Sequence, residues 1–142
     1  MIEFINMRKL KRITAGKLSG VIVEYDKSES SMRAMWRIAG GSKAWFQDFD
    51  SSDVSQITGA MILPQYFEDV DRCAAIIPKT VAPLGHEEIE LRRLMGDADF
   101  MIMVSGDPSD THLRAGTIRH ELCHVLFKTD DSWKHRCLDI WG

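Results

Sequence analysis

The chain has 142 residues, 44% of them hydrophobic and 27% charged, with a formal net charge of −3. That suits one globular domain over residues 1–142 with a real core, and leaves too little chain for two. The acidic balance argues against bulk nucleic-acid binding, no apolar run reaches membrane-spanning length, and the N-terminus lacks the apolar centre of a signal peptide. Three widely spaced cysteines do not form a disulfide framework, so a reducing cytoplasm is the expected compartment.

The first segment is basic, with Arg8, Lys9, Lys11, Arg12 and Lys17 against the single acid Glu3. It could be a docking arm for nucleic acid, but no aromatics interleave with the cations as a single-strand binder would need. A solvated edge is the better expectation. Val21–Tyr25 is β-branched and reads as a strand. From Met32, apolar residues alternate (Met32, Ala34, Trp36, Ile38), which predicts a half-buried strand ended by Gly40-Gly41. A third strand over 44–49 would complete a meander, with Trp36 and Trp45 as core or groove residues.

Helical patterns come next. Ser51 or Ser52 can cap a helix running toward Met61. Pro64 suits the first turn of the next, whose Phe67, Val70, Ala74 and Ile77 form a core-facing stripe. His86–Met95 predicts a charged helix with Leu91, Leu94 and Met95 inward, a surface histidine at its start and Gly96 as its stop. Phe100–Val104 is a continuous apolar run, the mark of a buried strand, and 107–111 is a turn with several potential N-caps.

Residues 120–124 carry chemistry. His120-Glu121-Leu122-Cys123-His124 places two imidazoles four residues apart, about 40° around a helix, so both project from one face. One Zn²⁺ can collect both nitrogens at about 2.0–2.1 Å, and Glu121 is close enough to reach a water on the metal without ligating it. Leu113, Thr117 and His124 share the imidazole face with His120. Ile118, Leu122, Val125, Leu126 and Ala115 lie opposite, as an apolar stripe for the core. Cys123 lies on the flank and reads as a small buried thiol rather than a ligand.

A catalytic zinc needs a third protein ligand and one open position. After His124 the candidates are Asp130, Asp131, His135 and Asp139; no glutamate occurs beyond Glu121. Asp130, six residues beyond His124, lets the chain leave the helix and turn back, and is the preferred third ligand. Asp131 could cap the next helix, and His135 is the alternative ligand. Trp133 and Trp141 read as residues packing that helix on the metal helix.

The motif, the short loop and Trp133-Lys134-His135-Arg136 together resemble the zincin metallopeptidases of the SprT-like kind, over roughly the last thirty residues. Small repressor-cleaving peptidases of the ImmA type also share HExxH in compact chains. The resemblance implies an α+β domain, a small and mainly antiparallel sheet packed on helices, with a zincin-like active-site helix. It also implies an extended peptide or protein substrate along a strand edge. The chain departs from the pattern where Thr129, Asp130 and Asp131 stand in place of a third histidine. The expected chemistry is peptide hydrolysis by a metal-activated water with Glu121 as general base. Tyr66, His112 and Arg119 are candidate oxyanion stabilisers. The alternative is a catalytically inactive, zinc-stabilised binding or inhibitory protein on a peptidase scaffold.

Overall fold

The computed structural model describes residues 7–25, 29–40, 59–104 and 111–141, with side chains described over 11–24, 32–40, 59–104 and 115–139. Strands β1 (Met7–Ala15), β2 (Leu18–Tyr25), β3 (Gly59–Ile62) and β4 (Phe100–Val104) form one sheet in the order β1-β2-β4-β3. Two of its three pairings are antiparallel; β2 and β4 run parallel, with Ile22 opposite Ile102. The class is α+β with a mixed sheet. Five helices are described: α1 (Glu29–Ala39), α2 (Pro64–Ile76), α3 (His86–Met95), α4 (Thr111–Thr129) and α5 (Asp131–Trp141).

β4 lies inside the sheet and is buried at every position, which explains why Phe100–Val104 is apolar without interruption. Its alternation splits the core in two. Met101 and Met103, with Val21 and Val23 of β2, join Met35, Ile38, Phe67, Val70 and Leu91 from α1, α2 and α3. Phe100, Ile102 and Val104, with Ile22, meet Val125, Ile118 and Leu122 of α4 on the other face. The start of β4 is pinned to β2: the Ser19 N–H donates to Asp99 Oδ2 at 2.8 Å and the Asp99 N–H to the Ser19 carbonyl at 2.8 Å.

Several expectations change. The alternating stretch from Met32 is a helix, α1, and not a strand. Met32, Met35 and Ile38, three apart, are buried together with Ala34, while Trp36 is only half-buried. Alternation over seven residues also fits a helical stripe, and Ala, Met and Arg are good helix formers. The expected helix ending near Met61 is overtaken there by β3. Trp45, the strand over 44–49 and the caps Ser51 and Ser52 lie outside the described residues. The basic segment is an edge strand of a hairpin, with Lys11 and Arg12 exposed; edge cations discourage further strand pairing. Gly16, at φ +59°, opens the two-residue turn between Ala15 and Leu18, where a side chain would be strained.

The remaining elements match expectation. Pro64 begins α2, and Phe67 and Val70 are buried, though Ile77 falls beyond the helix and is 37% exposed. α3 spans His86–Met95 with Leu91, Leu94 and Met95 inward, and the Gly96 N–H returns to the Arg92 carbonyl. No described helix is long and apolar enough to cross a membrane.

Candidate metal centre

α4 packs across β3 and β4, and α5 folds back on α4. The reversal is local chemistry. The Thr129 hydroxyl donates to the Val125 carbonyl at 2.7 Å and the Asp130 N–H to the Leu126 carbonyl at 2.8 Å, which ends α4. Asp130 Oδ1 then accepts the Trp133 N–H at 3.1 Å, and its carbonyl accepts the Lys134 N–H, which starts α5.

On α4, His120 and His124 are exposed and their rings meet edge to face, with Nε2 atoms 3.1 Å apart. Two nitrogens at about 2.0–2.1 Å from one tetrahedral metal would stand about 3.3–3.4 Å apart, so the pair is nearly in the separation zinc requires. The imidazoles line a cavity of about 420 Å³ between α4 and α5, with Cys123 and Phe127 of α4 and Trp133, Cys137 and Leu138 of α5. Cys123 is exposed at this opening rather than buried, because the flank of the imidazole face is not covered by α5. Cys137 also lines the cavity, a placement the sequence did not signal, since only the fold-back of α5 brings it there.

Glu121 lies toward the sheet and is only 8% exposed. Burial raises its carboxyl above the ordinary carboxylate range, opposed by His124 and His120. β3, an edge strand, passes over this residue: a Cβ on Gly59 would collide with Thr117 Cγ2 and stand 3.5 Å from Glu121 Cγ. Glycine at position 59 is what allows the backbone so close to α4. The buried side of α4 thus includes Val125, the half-buried Ile118 and Leu122, and Glu121, while Ala115 is exposed.

The candidate third ligands take other positions in this structure. Asp130 caps α5 and lines a different cavity, of about 870 Å³, with Gly16, Lys17 and Leu18 of the hairpin turn and with Asp131. Asp130, rather than Asp131, is therefore the cap. His135 and Asp139 are exposed and absent from the wall of the imidazole cavity. Among the described residues, no third His, Cys, Asp or Glu joins the imidazoles in a group able to hold a metal ion. Of the oxyanion candidates, Tyr66 directs its hydroxyl to Met61 Sδ at 3.6 Å and carries Lys128 over its ring, Arg119 is exposed, and the side chain of His112 is outside those described. Trp133 is half-buried on the cavity wall; the side chain of Trp141 is outside those described.

A further cavity, of about 390 Å³, lies between α1 and the start of α3, lined by Arg33, Trp36, Arg37, His86 and Glu88. One of its two carboxylates is already engaged: Glu88 accepts the Gly85 N–H at 2.7 Å and pairs with Arg37 Nε at 3.3 Å, beside Glu87. Arg37 also donates to the Ala82 carbonyl. Comparison of the chain with profiles of protein families, with curated proteins and with solved structures finds no match.

Proposed function

We propose that the chain is a zinc-dependent metallopeptidase, with His120 and His124 as ligands and Glu121 as general base. One observation carries the reading: the two Nε2 atoms converge to 3.1 Å beside a buried carboxylate that has no hydrogen-bond partner among the described residues. A zinc ion, when bound, supplies an acidified water and polarises the scissile carbonyl. Glu121 takes up a proton at its carboxylate and passes it to the leaving amine. Its burial favours the protonated form, which suits a group that must hold a proton between two steps.

The substrate is an extended peptide or protein segment. The outer edge of β3 pairs with no described strand, and Gly59 brings that edge against Glu121, so a peptide adding to β3 would pass over the base. Asp130 remains the proposed third ligand from its spacing, and it would have to leave its cap to serve. His135 is the alternative. The cytoplasmic setting belongs to the same reading and is supported by three free thiols. Nucleic-acid contact through the basic hairpin is not part of it. The presence of only two converging ligands among the described residues favours a second reading, an inactive zinc-stabilised binding or inhibitory protein.

Metal analysis of the purified chain beside His120→Ala tests the ligands, and equal zinc in both would overturn them. Cleavage of a proteome-derived peptide mixture by wild type, with zinc-loaded Glu121→Gln inactive, is the result expected of the enzyme. Equal cleavage by the two proteins would leave the second reading.

A further inference from the structure

The wall beside the imidazole pair has a chemistry that zinc binding does not use. Phe127, Trp133 and Leu138 give it an apolar surface, and Cys123 and Cys137 fill the gaps between them. Among the described residues, no charged or amide side chain other than the imidazoles lines it. Leu138, a large apolar residue on this wall, is 49% exposed. At about 420 Å³ the cavity lies in the lower part of the range for small-ligand sites, with room for one large side chain.

Two cations bracket this wall. Lys134 Nζ stands 5.6 Å from the centre of the Phe127 ring and Arg136 Cζ 5.5 Å from that of Trp133. Both rings belong to the cavity, so positive charge lies beside its apolar surface with no acid among the described residues of the wall to balance it. A basic side chain entering here would lose hydration against aromatic and aliphatic carbon and meet like charge. An aromatic side chain loses nothing on dehydration, and a carboxylate just outside the cavity would meet cations.

Resting on the peptidase reading, we propose that this cavity selects the substrate: it takes an aromatic or long aliphatic side chain next to the bond cleaved, with an acidic rather than a basic group flanking it. Trp133 and Leu138 set the first preference, Lys134 and Arg136 the second. The depth of the preference comes from differential burial of one side chain, which in hydrophobic pockets discriminates by tens to hundreds of fold.

The test uses the full-length chain, with its zinc content measured first. Three peptide hydroxamates share a zinc-binding end and carry a benzyl, an aminobutyl or a methyl side chain; their dissociation constants are measured by calorimetry. The benzyl probe is expected to bind at least about tenfold tighter than the aminobutyl probe. Leu138→Ser and Trp133→Ala should each reduce that ratio several-fold while leaving the methyl probe unchanged. Trp133 also packs α5 on α4, so the exposed Leu138 position decides if Trp133→Ala unfolds. Benzyl probes extended by Asp should bind several-fold tighter than those extended by Lys. That gap should close in Lys134→Ala/Arg136→Ala. A benzyl-to-aminobutyl ratio near one on zinc-loaded protein overturns the inference and leaves the peptidase reading standing. Equal binding of the Asp and Lys extensions overturns its charge half. Protein that takes up no zinc and binds no probe overturns both readings together.

Discussion

Two carboxylates are buried among the described residues, Glu88 at 6% exposure and Glu121 at 8%, and they differ in their surroundings. In both, burial is the largest influence and raises the carboxyl above its ordinary range. Glu88 is offset by the Gly85 N–H it accepts and by the Arg37 guanidinium, so it closes the first turn of α3 and ties it to α1. Glu121 is offset only by the two imidazoles it lies between on α4. A buried carboxylate with a full set of partners is architecture. Glu121 lies beside the converging nitrogens and under a strand edge, and the proposed reading assigns it the proton.

The comparison is broken most directly by removing each charge. Glu121→Gln should lower peptide hydrolysis by about 10²–10⁴-fold with zinc content and melting temperature kept. Glu88→Gln should leave turnover unchanged and lower stability by about 1–3 kcal/mol, because the ion pair between Glu88 and Arg37 is lost. Denaturant unfolding and a peptidase assay on both variants check this, and full turnover in Glu121→Gln would remove the distinction.

The strand edge over Glu121 sharpens it next. Gly59→Val should cost about 1–3 kcal/mol and depress turnover, since the new side chain meets Thr117 and lifts β3 from α4. Gly116→Ala, where the added Cβ meets no described atom beyond its own helix within 4 Å, should instead stabilise by about 0.5–1 kcal/mol. Thermal melts of both in parallel decide whether contact, rather than loss of glycine, is the cause.

Asp130 is the next test. As the cap of α5 and the proposed third ligand, its replacement in Asp130→Ala should cost about 1 kcal/mol of stability and lower zinc content, while His135→Ala largely keeps the metal. Zinc kept in full by Asp130→Ala but lost from His135→Ala would remove Asp130 from the ligand set and put His135 in its place.

The smallest effect is in pH. With its folded-state carboxyl raised, Glu88 holds a proton in the folded chain at a pH where the unfolded chain has released it. Stability contributed this way is present below about pH 4.5 and declines as pH rises through the raised value. Urea unfolding across that window should fall less steeply in Glu88→Gln than in the wild type. The comparison is cleanest in a Glu121→Gln background, because Glu121 acts with the same sign in zinc-free protein.

What the sequence determined by itself are the features set by neighbours along the chain. The HExxH spacing put two imidazoles on one helix face, Pro64 and Gly96 bounded α2 and α3, and the unbroken apolarity of Phe100–Val104 announced a strand covered on both faces. The tertiary structure decided the rest. Met32–Ile38 satisfies a period of two and a helical stripe alike, and only packing against β3, α2 and α3 selects the helix. That Glu121 is buried comes from β3 lying on α4, a contact between residues some sixty apart that no local pattern records. The fold-back of α5 sets Cys137, Trp133 and Leu138 beside the imidazoles and turns Asp130 to its own helix end. Periodicity reports which side of an element is apolar; which element covers that side, and which polar groups are enclosed with it, is settled by long-range packing.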